Sequence, residues 1–504
     1  MELIQTNSTT TTLNATLYAA DGVTVVGGTW TATDTTTALQ NVQGTAALFY
    51  YNHGLTATSP AATEIQFYNG DPAATGLAIS GATTAYTAAA ISGYTVASNG
   101  TLSGNVVVTP NDNGAGGVFS PSSITLTPTV LTGYFKYTAP AAGTVNISLT
   151  NNGSLANPSP YTVTVPSTTL VQVSSAAWKF SPANWRGDTG RGGDAWRQAW
   201  CNGAWCEVDW VGSSSPTAIL YLPISSTAQL INYQINGVFY YQVIASDSIQ
   251  LTNLVANGPN KLKVWLDSSP QIARWSPETN VTRVGGLVID SASTAGTAPA
   301  ANPWILVHHN SIGEGIGAET QSNNHSFVMS IQRAMDAIGI DVCQDGCGYS
   351  GYLSPGDSTS DVPPLYLVTS GLYSEAGSRW DKISNGVSRL DSNGHISAYG
   401  STGQDPVAIF VIMSVNEDLH SKSLTDTRAS VAGYIAAARA AAPNAVLSIC
   451  LDFGHECLTG TLYHQTYLTA IEGGFADYQA ANPADKHVVF HSAGVTLALS
   501  LIHI

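Results

Sequence analysis

The chain has 504 residues, long enough for several domains with real cores, and only 10% of them are charged while 44% are hydrophobic. Its formal net charge of −16 leaves no basic face for a phosphate backbone, which excludes nucleic acid as a partner, and no apolar run approaches the roughly 20 residues of a membrane span. An uncharged partner such as a glycan fits this composition better.

Residues 1–87 alternate Thr and Ser with apolar residues in short runs such as Ala47-Leu-Phe-Tyr-Tyr51, broken by Asp21-Gly22, Gly27-Gly28 and Asn69-Gly70. This predicts a β-rich module of unreadable role. Residues 88–168 carry Asn105-Val-Val-Val-Thr-Pro110, Phe119-Ser-Pro-Ser-Ser-Ile-Thr-Leu126 and Gly133-Tyr-Phe-Lys-Tyr-Thr-Ala-Pro140, strand-sized pieces between Pro and Gly turns. They resemble the immunoglobulin-like spacer modules of bacterial surface proteins and phage-borne adhesins, which implies a β-sandwich spacer.

Near residue 170 the charge pattern changes, since Lys136 is the only basic residue before it and Lys and Arg recur after it. Residues 169–292 hold eight of the eleven Trp, between Trp178 and Trp275. They resemble the jelly-roll accessory domain of two-domain carbohydrate esterases, and an exposed Trp row there would stack on sugar faces. A small-residue linker, 293–303, follows.

From 304 onwards the period alternates between strand and helix: Trp304-Ile-Leu-Val-His308, a helical stripe over 325–338, Ala408-Ile-Phe-Val-Ile-Met413, a helix about 425–441, Ala445 to Leu451, a helix about 462–480, and His487-Val-Val-Phe490. The expected fold class is therefore multidomain, with N-terminal all-β sandwich domains followed by an α/β three-layer domain, 304–504, built on a mostly parallel sheet. In such sheets ligands sit beyond the carboxyl ends of the strands.

Three of those places carry a resemblance to the SGNH (GDSL-like) serine esterases. His308-His-Asn-Ser-Ile-Gly-Glu-Gly315 is similar to the first block of that family, with His309 and Asn310 where it has Gly and Asp; this implies Ser311 as nucleophile, at a strand-to-helix turn. Cys343-Gln-Asp-Gly-Cys-Gly-Tyr-Ser-Gly-Tyr352 looks like the second block, which implies the Gly351 N–H, or that of Gly348, as an oxyanion donor. Met413-Ser-Val-Asn-Glu417 resembles the third block with Ser414 for Gly and Glu417 for Asp, which implies the Asn416 amide as a second donor. Ser378-Arg-Trp-Asp381 and Ser388-Arg-Leu-Asp391 fit the superfamily without an assigned chemistry.

The family draws its base from an Asp-x-x-His segment after the last core strand. Here the spacing occurs only at Asp452-Phe-Gly-His455, one strand too early, and His491 stands nearer the end. His455 and His491 are the candidate bases, although the chain is read as ending before the family's own block. His308 and His309 are too close to Ser311 in sequence to reach its hydroxyl in line. The six cysteines form three close pairs, 201 with 206, 343 with 347, and 450 with 457, read as local disulfides of a secreted or surface-attached protein. No cofactor or metal is expected, because no ligand-spaced His or Cys motif is present. The resemblance implies removal of acyl groups, most plausibly acetyl, from polysaccharide; the alternative is a non-catalytic glycan-binding adhesin, surface-attached or phage-tail-like.

Overall fold

A computed structural model describes residues 2–7, 10–18, 25–34, 73–87, 92–187, 195–223, 229–245, 247–298, 301–316, 323–397, 404–413, 415–451 and 465–491. Strands Glu2–Asn7, Thr10–Tyr18 and Val25–Asp34 form an antiparallel meander. Between 77 and 165, alternation of buried and exposed side chains, as in Ser92–Ser98 and Val106–Asn111, builds two four-stranded antiparallel sheets. Their inward faces share one core that includes Tyr94, Val108, Phe135, Tyr137, Ile147 and Val163.

The next stretch supplies a second pair of antiparallel sheets. One contains β1 (Trp178–Phe180), β2 (Trp205–Val211), β3 (Leu230–Ile235), β4 (Val238–Ile244) and β5 (Pro259–Ser268), in the order β1-β2-β5-β3-β4. Its inner face sends Cys206, Val208, Trp210, Ile231, Tyr233 and Val264 against Leu220 and Leu287 of the other sheet. The Trp-rich segment is thus core and interface. Trp178, Trp185, Trp200, Trp205, Trp210, Trp265 and Trp275 are all buried, the usual fate of large apolar side chains, so these seven form no exposed row to stack on sugar.

The last third contains β6 (Trp304–His309), α1 (Phe327–Ala337), β7 (Asp341–Gly346), β8 (Ala408–Ile412), α2 (Val415–Leu419), α3 (Leu424–Ala441), β9 (Val446–Cys450), α4 (Gln465–Ala481) and β10 (Val488–His491). The strands pair in parallel in the order β7-β6-β8-β9-β10. Strands β6 and β7 are buried along their whole length, as a parallel sheet covered on both faces requires. α3 and α4 cover one face through Val431, Tyr434, Ile435, Ile471 and Tyr478. α1, capped by Ser326 Oγ accepting from the Met329 N–H at 3.0 Å, packs Val328 on the other, against Ile305, Val307 and Val342.

The fold class is corrected by these observations. Across the described residues antiparallel sheets dominate and a single sheet is parallel, so a three-layer α/β domain does not describe this part of the chain. The physical reason is that α1 does not cover its face alone. The outer side of the β1–β5 sheet packs there too: the Trp205 Nε1 donates to Val342 O at 3.1 Å, Asn184 Nδ2 to Gln344 O at 2.6 Å, and Lys179 pairs with Asp341 at 3.0 Å. Between β7 and β8 the described residues form two short antiparallel hairpins and loops instead of a helix.

The expected disulfides are corrected as well. Cys201, Cys206, Cys343 and Cys347 are unbridged, because each sequence pair points into two different clusters: Cys206 into the core of the antiparallel sheets, Cys343 into that beneath α3, and Cys201 and Cys347 together beside Trp200 and Trp275. The pairing of Cys450 with Cys457 lies outside the described residues. No described helix is long and apolar enough to cross a membrane.

Candidate active site

The chain runs from β6 to the edge strand β7 on one side and later to β8 on the other, so strand order reverses between β6 and β8. A crevice opens beyond the carboxyl ends of the strands at such a reversal. Register places His309 opposite both Gly346 and Ile412, so the segments that follow, carrying Ser311, Gly348 to Gly351 and Asn416, leave the sheet at one level.

Ser311 is half-buried in a turn that spans 311–316, not at the start of a helix. Asn310 shapes the turn: its Oδ1 accepts from the Ile312 N–H at 3.0 Å and its carbonyl from Glu314 N–H at 3.2 Å. The Ser311 carbonyl accepts from the N–H groups of Glu314 and Ile316, at 3.1 and 2.9 Å. Among the described residues neither the Ser311 hydroxyl nor its N–H makes a hydrogen bond. Gly313 is required, since a Cβ there would stand 2.3 Å from His309 Nδ1.

The expected oxyanion donors are engaged elsewhere. The Gly351 N–H donates to Ser354 O at 3.0 Å, and the Gly348 N–H to Glu314 Oε2 at 2.6 Å. A Cβ at Gly351 would meet the Glu417 carboxylate at 2.0 Å, so close approach of that side chain explains the glycine. Asn416 is buried; its Nδ2 donates to Ser350 O at 2.8 Å, which leaves one amide hydrogen beyond that bond. Ser354 Oγ returns a bond to Asn416 O at 2.8 Å, tying the loop after β7 to α2.

Beneath the crevice lie two buried ionic clusters that sequence reasoning did not locate. Asp345, at the end of β7, accepts from Arg379 Nη1 at 2.9 Å and Arg389 Nη1 at 3.1 Å, and lies 2.7 Å from His308 Nδ1. Burial would raise its carboxyl, but the two guanidinium groups outweigh burial and hold it well below the usual carboxylate range. Burial pushes His308 down to about 4 against the pull of Asp345, and lowers His309 too. Both imidazoles are fully enclosed, so neither faces the crevice as a base. The signal in the sequence was the repeated Ser-Arg-apolar-Asp, which supplies both arginines.

In the second cluster Arg274, from the segment after β5, binds Glu314 and Asp357 with no exposure of any of the three charged groups beyond 2%. Glu314 also accepts from Asn202 Nδ2 and Gln271 Nε2, each at 3.1 Å. One cation faces two carboxylates, and burial pushes Asp357 up to about 6 despite Arg274. The folded state therefore holds an extra proton between about pH 4 and 6, and the stability from this group, full below that window, is lost as pH rises through 6. Urea unfolding should show the wild type losing roughly 1 kcal/mol between pH 5 and pH 7 relative to Asp357→Asn. Parallel pH dependences in the two chains would contradict this assignment.

Asp452 and His455 lie outside the described residues, as does Ser414. His491 is exposed at the carboxyl end of β10, in register with Cys450. Three strand spacings separate β10 from β6, roughly 14 Å, more than an imidazole side chain spans. Among the described residues no group of three or more His, Cys, Asp or Glu is placed to hold a metal ion.

No family model matches the sequence, and no curated protein does. Solved structures with a similar outline include an acetyl xylan esterase from the rumen bacterium Butyrivibrio proteoclasticus, with a TM-score of 0.45 and 13% identity over 64% of this chain and 88% of that one. A family two carbohydrate esterase from Clostridium thermocellum gives 0.44 and 13%, over 62% and 86%. A salicylyl-acyltransferase from a tetracycline biosynthetic pathway gives 0.41 and 13%, over 64% and 84%. Likeness at this level is too low to transfer chemistry to this chain.

Proposed function

We propose that the chain is a serine ester hydrolase that removes acyl groups, chiefly acetyl, from polysaccharide outside the cell or at its surface. In this reading 304–504 carries the chemistry, and 1–87, 88–168 and 169–292 are β modules joined to it by 293–303. The observation that carries the reading is Ser311: a half-buried hydroxyl at the reversal of strand order, with its oxygen and its own N–H both unengaged among the described residues.

Ser311 Oγ attacks the acyl carbonyl while its proton passes to an imidazole. The oxyanion takes the Ser311 N–H and the remaining Asn416 amide hydrogen; the Gly351 N–H joins only if it leaves Ser354 O. Collapse expels the sugar hydroxyl, which receives the proton from the imidazole, and water then hydrolyses the acyl-Ser311. We assign the imidazole to His455, with Asp452 to orient it, because Asp452-Phe-Gly-His455 has the Asp-x-x-His spacing that supplies base and orienting acid from one segment. Acetate release from acetylated xylan by the full chain tests this: His455→Ala should abolish it and His491→Ala should leave it within about twofold.

The second reading, glycan binding without hydrolysis, is favoured by one observation, the engagement of both glycine N–H groups with Ser354 O and Glu314. A chain that retains polysaccharide and releases no acetate would establish it over the first.

A further inference from the structure

Strand β4 is the free edge of its sheet and reads exposed at five of its seven positions, including Val238, Phe239, Tyr241 and Ile244. Its inward side is accounted for, because Tyr240 stacks on core Tyr233 at 4.6 Å and Val243 packs on the same core. Alternation along the strand then puts Phe239 and Tyr241 on the outer face. That face is the one that carries Trp205 and Trp265, and exposure climbs along it from 1% at Trp205 and 8% at Trp265 to 43% at Phe239 and 55% at Tyr241.

The three outer rings are aligned. Phe239 and Tyr241 lie at 7° with centroids 5.7 Å apart, and Phe239 lies at 22° to Trp265 at 5.9 Å. Phe239 and Trp265 border a cleft of about 410 Å³ between this face and α1, whose walls include Asn232, Gln234, Lys261 and Lys263, and Tyr241 extends the row of rings beyond it. Both lysines of the cleft are paired, Lys263 with Asp336 at 2.7 Å and Lys261 with Glu207 at 3.0 Å, while the Arg333 guanidinium donates to the neutral Asn324 amide oxygen. Among the described residues the Gln234 side chain makes no hydrogen bond, and the buried Trp265 Nε1 has no partner. Ser311, Gly351 and Asn416 are not among the residues that line this cleft.

We propose that the outer face of β4 and this cleft form a second, non-catalytic site for an uncharged polysaccharide chain. Sugar rings present apolar C–H faces that stack on aromatic rings, while their hydroxyls pair with amides and with charges already neutralised by a partner. Both lysines are already paired with carboxylates, so Arg333 alone would be left to meet an anionic glycan, whereas the aligned rings offer stacking to any sugar face. Strand addition by a second copy is disfavoured at this edge, because Gln242 adopts φ +49 in a bulge that breaks the register between Ile231 and Tyr233, and a bulged edge is a poor template for pairing. The site stands apart from the ester-hydrolase reading and holds whether or not Ser311 is a nucleophile.

Native gels containing soluble arabinoxylan, glucomannan or hydroxyethylcellulose test it with the full chain. At least one of these neutral polymers should retard the wild type, and Phe239→Ala/Tyr241→Ala should weaken that retardation at least tenfold. Phe239→Trp should restore it on the Tyr241 background, and the hydrolysis of a small soluble ester should be unchanged by the double substitution. Both rings are exposed, so thermal unfolding should be unaltered and a loss of binding cannot be ascribed to misfolding. The proposal is overturned if none of the three polymers retards the wild type, if the double variant binds as the wild type does, or if sedimentation shows a dimer that the double variant dissolves, which would make this face a contact between copies.

Discussion

Replacing Ser311 with Ala is expected to lower kcat for acetyl-ester hydrolysis by at least about a thousandfold, while the midpoint of thermal unfolding stays where it is. The two halves of this expectation have separate causes. In the proposed reaction, loss of the hydroxyl removes the bond-forming atom, so the acyl-enzyme route closes and only the proposed oxyanion donors and substrate binding remain. Stability is spared because that hydroxyl makes no hydrogen bond among the described residues and is half-buried, so nothing is left unsatisfied when it goes. Asn416→Ala separates the roles: it should cost roughly a hundredfold in kcat, and some stability with it, since its Nδ2 also holds Ser350 O at 2.8 Å. Steady-state kinetics on a chromogenic acetate with parallel thermal melts reads both. An Ser311→Ala chain as active as the wild type would remove the nucleophile assignment altogether.

What was legible in the sequence follows from which interactions are local. Runs such as Trp304 to His308 and Ala408 to Met413 declare buried parallel strands, and the helices over 425–441 and 462–480 were readable from their apolar positions, because these patterns depend on a few neighbouring residues. The covering of the sheet was not legible. Trp205 and Lys179 sit far upstream, yet they pack and bond to β7, so a domain of two helical layers was expected where one face is shared with antiparallel β-structure. Cysteine spacing misled for the same reason: Cys201 and Cys206 are near in sequence but flank a turn into β2 and point to opposite sides of it, while Cys201 and Cys347 share a cluster. Ser311 and Asn416 could be singled out as candidates because each follows an apolar strand. The charges beneath them were missed because Arg274, Arg379 and Arg389 reach Glu314, Asp357 and Asp345 only through tertiary packing.

Arg274→Met is expected to be the most damaging single change to folding, at about 3–5 kcal/mol. Methionine fills much of the volume and carries no charge, so Glu314 and Asp357 would remain buried with the cation between them gone. Glu314 keeps donors from Asn202, Gln271 and Gly348, whereas Asp357 has lost its paired charge, and the cheapest relief is a proton on Asp357. The penalty should therefore be smaller at pH 5 than at pH 7, and Asp357→Asn in the Arg274→Met chain should recover part of it, both measurable by urea unfolding. The same cluster ties three separate segments together: Arg274 follows β5, Glu314 sits three residues after Ser311, and Gly348 opens the loop that carries Gly351. Loosening it should shift Ser311 relative to that loop, so kcat ought to fall even at pH 5, where most of the stability is regained. If Arg274→Met unfolds like the wild type at both pH values, the ion cluster does not hold the crevice, and the position of Ser311 must be set by the turn at Asn310 alone.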